Sequence, residues 1–566
     1  MQINFSQFKN HWRFDLSWYY WIGLAVLFIL GGVIRFALPA LPVIDADTDE
    51  YLKPAIGLLA NGVYIPTYRN FPYPCFLTVI LNFFPDLYSI AFIQHVIGII
   101  TAALVVVIIF RCRVFLPQGK ALDWGLRLVA LFAACGILFS HFIILMEHSI
   151  RPEGLFPVAC AITILSGVEV FRRLFLKKYD EGMMLFWAIV LIIFSAGNFY
   201  LKPAWGLTAL TALMPLALAG ILIPGRWLWK IATSLCGASL VFVAFVLPES
   251  FFQKKLGPMK YWFLPGTLLS AHADILYHVI KKDIVSMPSD SKQRTYLTAF
   301  LKEIEVAKIS PRVRRYGLKI DPDDLLWCGP IDRLFKEFEN PVDFSRLCYS
   351  YYFRGWLKHP IAMSGKVMKQ MRFFYSLKEN NVYSSRFGYS LKAFYNKGLK
   401  RLVKLNKEIP WYPLDNYLNK IKTYDLPDET TLLRAVLASS VVWLNYLFLP
   451  MVFLSGMGAA IVLLSGDRFV LMKPAAAMVL YLSSFNFFTS LTISFIHMID
   501  VARYYFGQVT MSLVSQGFQF LFLFALIRVF ILHWKQMRDK EVVACVAGSP
   551  ITQTGIAPST EDMPST

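Results

Sequence analysis

Tyr88–Phe110 reads YSIAFIQHVIGIITAALVVVIIF and stops against Arg111 and Arg113. It contains no Asp, Glu, Lys or Arg. A helix rises about 1.5 Å per residue, so a run of this length covers a hydrocarbon core about 30 Å thick. The same kind of run recurs on both sides of it. Ser17–Leu41 precedes it, and Trp124–Ile144, Leu155–Phe171, Met183–Leu201, Ala204–Pro224 and Trp229–Leu247 follow. Beyond a long polar region come Leu433–Leu464, Pro474–Ile496 and Phe506–Leu532. Leu433–Leu464 is longer than one untilted helix needs, so it is a tilted span or one with a re-entrant end.

The bulk numbers agree with this pattern. Of 566 residues, 56% are hydrophobic and only 16% charged, where a soluble protein carries about 25%, and the mean hydropathy is +0.51. An all-α polytopic membrane protein of about ten or more spans is predicted, and a string of soluble domains is excluded. The net charge of +19 has its ordinary source in cytoplasmic Lys and Arg and their attraction to anionic headgroups. With no recognition motif present, nucleic acid is not a partner.

Every second short link carries a basic cluster: the N-terminus, 111–120, 172–178, 226–230, 468–473 and 533–540. The positive-inside rule then puts both termini in the cytoplasm. The first apolar segment has no small-residue cleavage site after it and reads as a retained anchor. Four units follow: 1–247, seven spans with a first external loop at 42–87; 248–430, an external region; 431–540, the C-terminal spans; and 541–566, a Ser-, Thr- and Pro-rich tail expected to be disordered. The eight cysteines show no CxxC pair and no metal spacing with His. A disulfide among Cys75, Cys328 and Cys348 is left open.

Within the external region, Leu347–Tyr375 reads as amphipathic helices broken at Pro360, with aromatics alternating with Arg354, Lys358, Lys366, Lys369 and Arg372. That is the composition of a helix lying at a membrane interface. Lys and Arg outnumber Asp and Glu over 248–430 by roughly three to two. Long external loops escape the positive-inside rule, so the excess points to anionic lipid or a phosphate-bearing substrate, against the plainer reading of a solvated basic face.

The first external loop holds Asp45, Asp47, Asp49 and Glu50 within six residues. A capping box of Asp47 with Glu50 would explain one or two of them, although Pro54 could equally be the first helical residue. Four exceed that need, and carboxylates at a membrane surface suit a general base or a cation site. Glu147, His148, Arg151 and Glu153 form a second group, for which an ordinary loop with an Arg151–Glu pair is the plain alternative. Lys202-Pro203 and Asp500, Arg503 and Tyr504 form two more. Each alone is a snorkelling residue. Together they bring acids and cations to one membrane face.

At this point the chain resembles the C-type (GT-C) integral-membrane glycosyltransferases, and is most similar in pattern to the protein O-mannosyltransferases and the lipid A aminoarabinose transferases. Their first external loop has an Asp four residues before a Tyr, then a small residue, a Leu and a Gly, as Asp47, Tyr51, Ala55, Leu59 and Gly62 stand here. Arg69 with Tyr73-Pro74, Glu153 in RPEGLF, Lys202-Pro203, Arg503-Tyr504 and His359-Pro360 match further elements in order. The protein mannosyltransferases have Asp-Glu where Asp47 is followed by Thr48, so Asp45 stays open as the base.

The resemblance implies a GT-C-like bundle and inverting transfer of a sugar from a polyprenyl-phosphate donor, on the external face of a bacterial inner membrane within the cell envelope. Asp47, or Asp45, would be the base. Arg69, Lys202 and Arg503 would hold the donor phosphate, and Glu153 would serve catalysis. Tyr51, Tyr73, Glu147, Arg151, Tyr504 and His359 would contact substrate. The acceptor, a lipid, a glycan or a protein, is not fixed, and membrane lipids are the remaining partner. No cofactor is required, while a divalent metal at Glu153 or Glu147 stays open. The alternative is a transporter or flippase of lipid-linked sugars, since charges near spans also mark transport paths. It predicts inverted repeats, and the sequence shows none.

Overall fold

The computed structural model describes residues 18–45, 47–67, 69–176, 181–222, 227–308, 320, 322–326, 329–375, 391–423, 432–466, 469–496 and 508–547. Among these the chain is helical apart from loops and one isolated parallel bridge, Val43 to Ser149. It is an all-α polytopic membrane protein.

Helices α1 (Trp18–Phe36), α2 (Thr48–Asn61), α3 (Pro72–Phe83), α4 (Leu87–Cys112), α5 (Lys120–Leu138), α6 (His141–His148), α7 (Phe156–Leu176) and α8 (Glu181–Leu201) form the first half of the bundle. Next come α9 (Gly206–Ala212), α10 (Met214–Leu222) and α11 (Trp227–Leu256). A lobe follows, made of α12 (Phe263–Ala271), α13 (Ala273–Ser286), α14 (Lys292–Lys308), α15 (Pro322–Leu326), α16 (Pro330–Glu337) and α17 (Pro341–Lys358). Then α18 (Pro360–Tyr375), α19 (Leu391–Glu408) and α20 (Tyr412–Thr423) lead back to the bundle, which ends with α21 (Leu432–Leu464), α22 (Lys473–Ile496) and α23 (Val509–Ala547).

Eight described helices are long and apolar enough to cross a membrane, against ten expected spans. The fourth expected span falls in α7, which is not one of the eight: its last turns carry Glu169, Arg172 and Arg173, with Glu169 buried among these two arginines and Arg111. The sixth, 204–224, is two short helices. Pro215 cannot continue the hydrogen-bond ladder, but it fits the first turn of a new helix, so the chain breaks at Leu213. The seventh does not end at Pro248, because α11 runs through it to Leu256.

The bundle core gathers around α22, which packs on α9, α21 and α23. The lobe has a core of its own, including Leu276, Ile280, Phe300, Ile304, Phe344 and Tyr351. It is tied to the end of α22 by Tyr352, whose hydroxyl donates to the Phe495 carbonyl at 3.3 Å, and by Trp356, stacked on Phe495. The break at Pro360 stands as expected. Lys366 departs from the expected interface face: it is buried and donates to the Ser494 carbonyl at 2.8 Å. Cys75 and Cys348 are free thiols, and Cys328 lies outside the described residues.

Candidate active site

The acid-rich loop is shaped by bonds that its sequence pattern did not announce. Asp47 stands at the N-cap of α2, but its side chain makes no capping hydrogen bond. Asp45 organises the turn instead: its Oδ1 accepts from the Asp47 amide at 2.9 Å and the Thr48 hydroxyl at 3.2 Å. Pro54 lies inside α2 and is not its first residue. It leaves the Glu50 carbonyl without the usual amide partner, and the Thr67 hydroxyl donates to that carbonyl at 3.0 Å. Thr67 thereby pulls the loop that carries Arg69 back across the start of α2. Gly62 closes the helix at φ 68°, a left-handed cap that glycine adopts without strain.

Asp47 instead enters tertiary ion pairs. Arg69 Nη2 lies 2.8 Å from Asp47 Oδ1, and Arg69 Nε donates to Glu50 at 2.6 Å. Arg151 comes from the far side. The Val43–Ser149 bridge, with the Val43 amide on the His148 carbonyl at 2.8 Å and the Ile150 amide on Val43 at 3.1 Å, zips the two loops together. Arg151 then pairs with Asp45 and lies 3.5 Å from Asp47. Of these two acids Asp47 is the more open, its side chain 20% exposed against 7% for Asp45.

The third arm is Lys202. It ends α8 in an extended conformation before the turn Pro203–Trp205, and buried Trp205 packs edge-on against Phe156. This sets Lys202 Nζ 3.3 Å from Glu153, in the turn after Arg151. The tyrosines join the arms. Arg69 stacks over Tyr51, Tyr51 meets Tyr73 edge to face, and buried Tyr73 feels the charge of Glu153. The Asn70 amide donates to the Tyr200 carbonyl at 2.9 Å, which fastens α8 to the loop after Arg69.

Asp45, Asp47, Arg69, Tyr51, Tyr73, Arg151, Glu153 and Lys202 therefore come together. Burial pushes the Glu50 carboxyl up to about 7, although Arg69 opposes the rise. Burial likewise raises Asp49, with Arg401 opposing.

Glu147 belongs elsewhere. It is buried with Arg35, whose Nε and Nη2 donate to its two oxygens at 2.7 and 3.0 Å. Its seat requires Gly98, where a Cβ would run into the carboxylate. His95 Nδ1 lies 3.1 Å from Glu147, His95 Nε2 lies 3.1 Å from His148 Nδ1, and His148 Nε2 lies 2.9 Å from the Leu41 carbonyl. These contacts form a buried relay from Glu147 to the Leu41 carbonyl. Gln94 connects it to the site by accepting from Tyr73 and donating to the carbonyls of Glu147 and Ser149. Glu147, expected to contact substrate, is a buried strut under the loop. His359 is exposed at the junction of α17 and α18, near the end of α22. Arg503 and Tyr504 lie outside the described residues.

Arg401 is a site neighbour that the sequence reading missed. It lies on α19, 3.6 Å from Asp49 and 4.0 Å from Glu50. The helix rides directly over the acid loop, with Gly398 against the backbone of Ile44 and Asp45. Tyr417 on α20 donates to the Pro42 carbonyl at 2.7 Å and fixes this cover. The available signal was the run of Lys and Arg along 391–408. Among the described residues, no three His, Cys, Asp or Glu side chains gather into a group that could hold a metal.

Fold and site together define an integral membrane protein with an enclosed acid–cation cluster at one end of its bundle. No family model matches the chain, and no curated protein matches it. Among solved structures it is similar to ArnT from Cupriavidus metallidurans, in a crystal structure bound to undecaprenyl phosphate. The two are 12% identical, the match covers 84% of this chain and 78% of the other, and the TM-score is 0.31. At that score the likeness carries no conclusion about this chain.

Proposed function

We propose that the chain is a membrane glycosyltransferase that takes a sugar from a polyprenyl-phosphate donor, with inversion, on the face that the charge pattern makes external. One observation carries the reading: Asp47, the more open of the paired acids, sits between two arginines, with Lys202 held beside them by Glu153. The acceptor hydroxyl oxygen bonds to the anomeric carbon as the bond from that carbon to the phosphate oxygen breaks. The electron pair leaves with the polyprenyl phosphate, and the hydroxyl proton goes to Asp47. A phosphate leaves as a stable anion, so the site needs cations rather than an acid at that oxygen.

Arg69, with its planar donor fork, and Lys202 are the cations for the phosphate, joined by Arg503. Arg69 is paired with Asp47 and Glu50. A donor phosphate would compete for the Arg69 guanidinium, while Arg151 stays 3.5 Å from Asp47. Asp45, held by Thr48, Asp47 and Arg151, positions the loop.

The test is incubation of membranes holding the full chain with a panel of polyprenyl-phosphate sugars. Wild type should turn over at least one donor, and Asp47→Asn should lose about 10²–10⁴-fold while remaining inserted and folded. Full activity in Asp47→Asn, or no turnover of any donor by wild type, refutes the reading.

A further inference from the structure

The junction of α17 and α18 carries an outward stripe that neither the lobe core nor the candidate site uses. On α17 it runs Arg346, Phe353, Leu357; on α18 it runs Ile361, Met368, Arg372. These spacings of seven and four keep each set on one helix face. Leu357 and Ile361 flank the junction at 82% and 88% exposure, and Phe353 and Met368 lie just behind at 60% and 66%. The arginines sit furthest from the junction, both exposed, with Arg346 also 3.3 Å from Asp343. Lys358 and His359 are also exposed between Leu357 and Ile361, with Lys358 3.9 Å from Asp283; the outward stripe itself is apolar next to the junction and basic along its arms.

Its position relative to the bilayer follows from its inner face. Trp356 stacks on Phe495 and Lys366 donates to the Ser494 carbonyl, at the last turn of a helix that crosses the membrane. Tyr375, nine residues beyond Lys366, lies beside Ser490, only four residues back along α22. At about 1.5 Å per residue, roughly 13 Å of α18 meets only about 6 Å of α22. Helix α18 therefore crosses the end of the bundle obliquely, beside the last turns of a membrane-spanning helix.

We propose that this elbow is an interfacial anchor, with Leu357 and Ile361 seated at the headgroup–acyl boundary of the lobe-side leaflet and Arg346 and Arg372 binding anionic headgroups. Apolar side chains flanking the junction, with guanidinium groups behind them and the long Lys358 side chain able to snorkel, match that layer, where apolar groups reach the acyl chains and cations stay among phosphates. A second copy of the chain is the competing occupant. The flanking arginines on both arms, which would repel their own kind across a symmetric contact, favour lipid.

The full chain is reconstituted in nanodiscs of phosphatidylcholine, with and without phosphatidylglycerol. An environment-sensitive fluorescent amino acid replaces Leu357, Ile361 or, as the water-facing reference, Lys336. Quenching by a lipid nitroxide near the headgroup should be about threefold or more stronger at positions 357 and 361 than at 336, with iodide in the opposite order. Quenching should strengthen with phosphatidylglycerol, and Arg346→Gln with Arg372→Gln should remove that increment. Iodide reaching all three positions equally would place the elbow in water and overturn the proposal. Protection that rises with protein-to-lipid ratio would assign the elbow to a second copy instead. Equal quenching in both lipid mixtures would refute the role of the arginines.

Discussion

Replacing Glu147 by Leu isolates what the buried strut contributes. Arg35 is fully buried, and its guanidinium makes five hydrogen bonds: two to Glu147, and the others to the carbonyls of Gly31 at 3.2 Å, Ile137 at 3.2 Å and Leu138 at 2.7 Å. Those last two carbonyls end α5, where a helix has unpaired acceptors and a partial negative charge. Arg35 therefore both caps α5 and neutralises Glu147. Removing the carboxylate strands a buried cation and takes away the partner of His95, a loss of about 3–5 kcal/mol. Adding Arg35→Met removes the stranded charge but uncaps α5, so the double variant should lie closer to wild type, within about 1–3 kcal/mol. Reversible unfolding in mixed micelles measures both variants, and the unfolded fraction of Glu147→Leu should rise about 10²–10³-fold or more. A Glu147→Leu protein as stable as wild type, or a double variant worse than the single, would refute the reasoning.

Two further outcomes are expected. Glu50 is raised by burial to about 7 from its ordinary 4.5, so the folded protein keeps a proton that the unfolded chain releases over that interval. The stabilisation from this group is complete below about pH 4.5 and lost as pH rises through about 7, an effect of up to about 3 kcal/mol. Thermal midpoints at pH 5 and pH 8 should differ less in Glu50→Gln than in wild type, and an unchanged difference would show that the proton is held elsewhere. Thr67→Val should destabilise by about 1–3 kcal/mol by leaving the Glu50 carbonyl unpartnered. In a Pro54→Ala background, where an amide can take that carbonyl, the same change should cost less. Equal cost in both backgrounds would mean that the Thr67–Glu50 bond is not the cause.

Spans were legible because a bilayer imposes length and composition on each segment by itself. Where tertiary contacts decide, the sequence said less. The 204–224 run had the composition of a span, yet Pro215 divides it. Asp47 with Glu50 fitted the spacing of a capping box, but Arg69 and Arg151 offered full charges to the same carboxylate and drew it away from the helix end. The meeting of Asp47, Arg69, Arg151, Glu153 and Lys202 was readable in outline, since orientation by charge put all five on one face. Glu147 stands among them in sequence and was grouped with them. Its partner Arg35 sits 112 residues away in the last turn of α1, and no local pattern joins the two. Arg401 escaped notice for the same reason.

The cations that neutralise the acid loop are supplied at very different moments of synthesis. Asp45, Asp47, Asp49 and Glu50 leave the ribosome with Arg69 close behind, whereas Arg151 follows only after about a hundred further residues, and Arg401 after some three hundred and fifty. The Val43–Ser149 bridge cannot form before the chain has passed its third long helix. A nascent chain thus carries an open, net-negative loop until these later segments are made. Its acids find their last partner only when α19 folds over them.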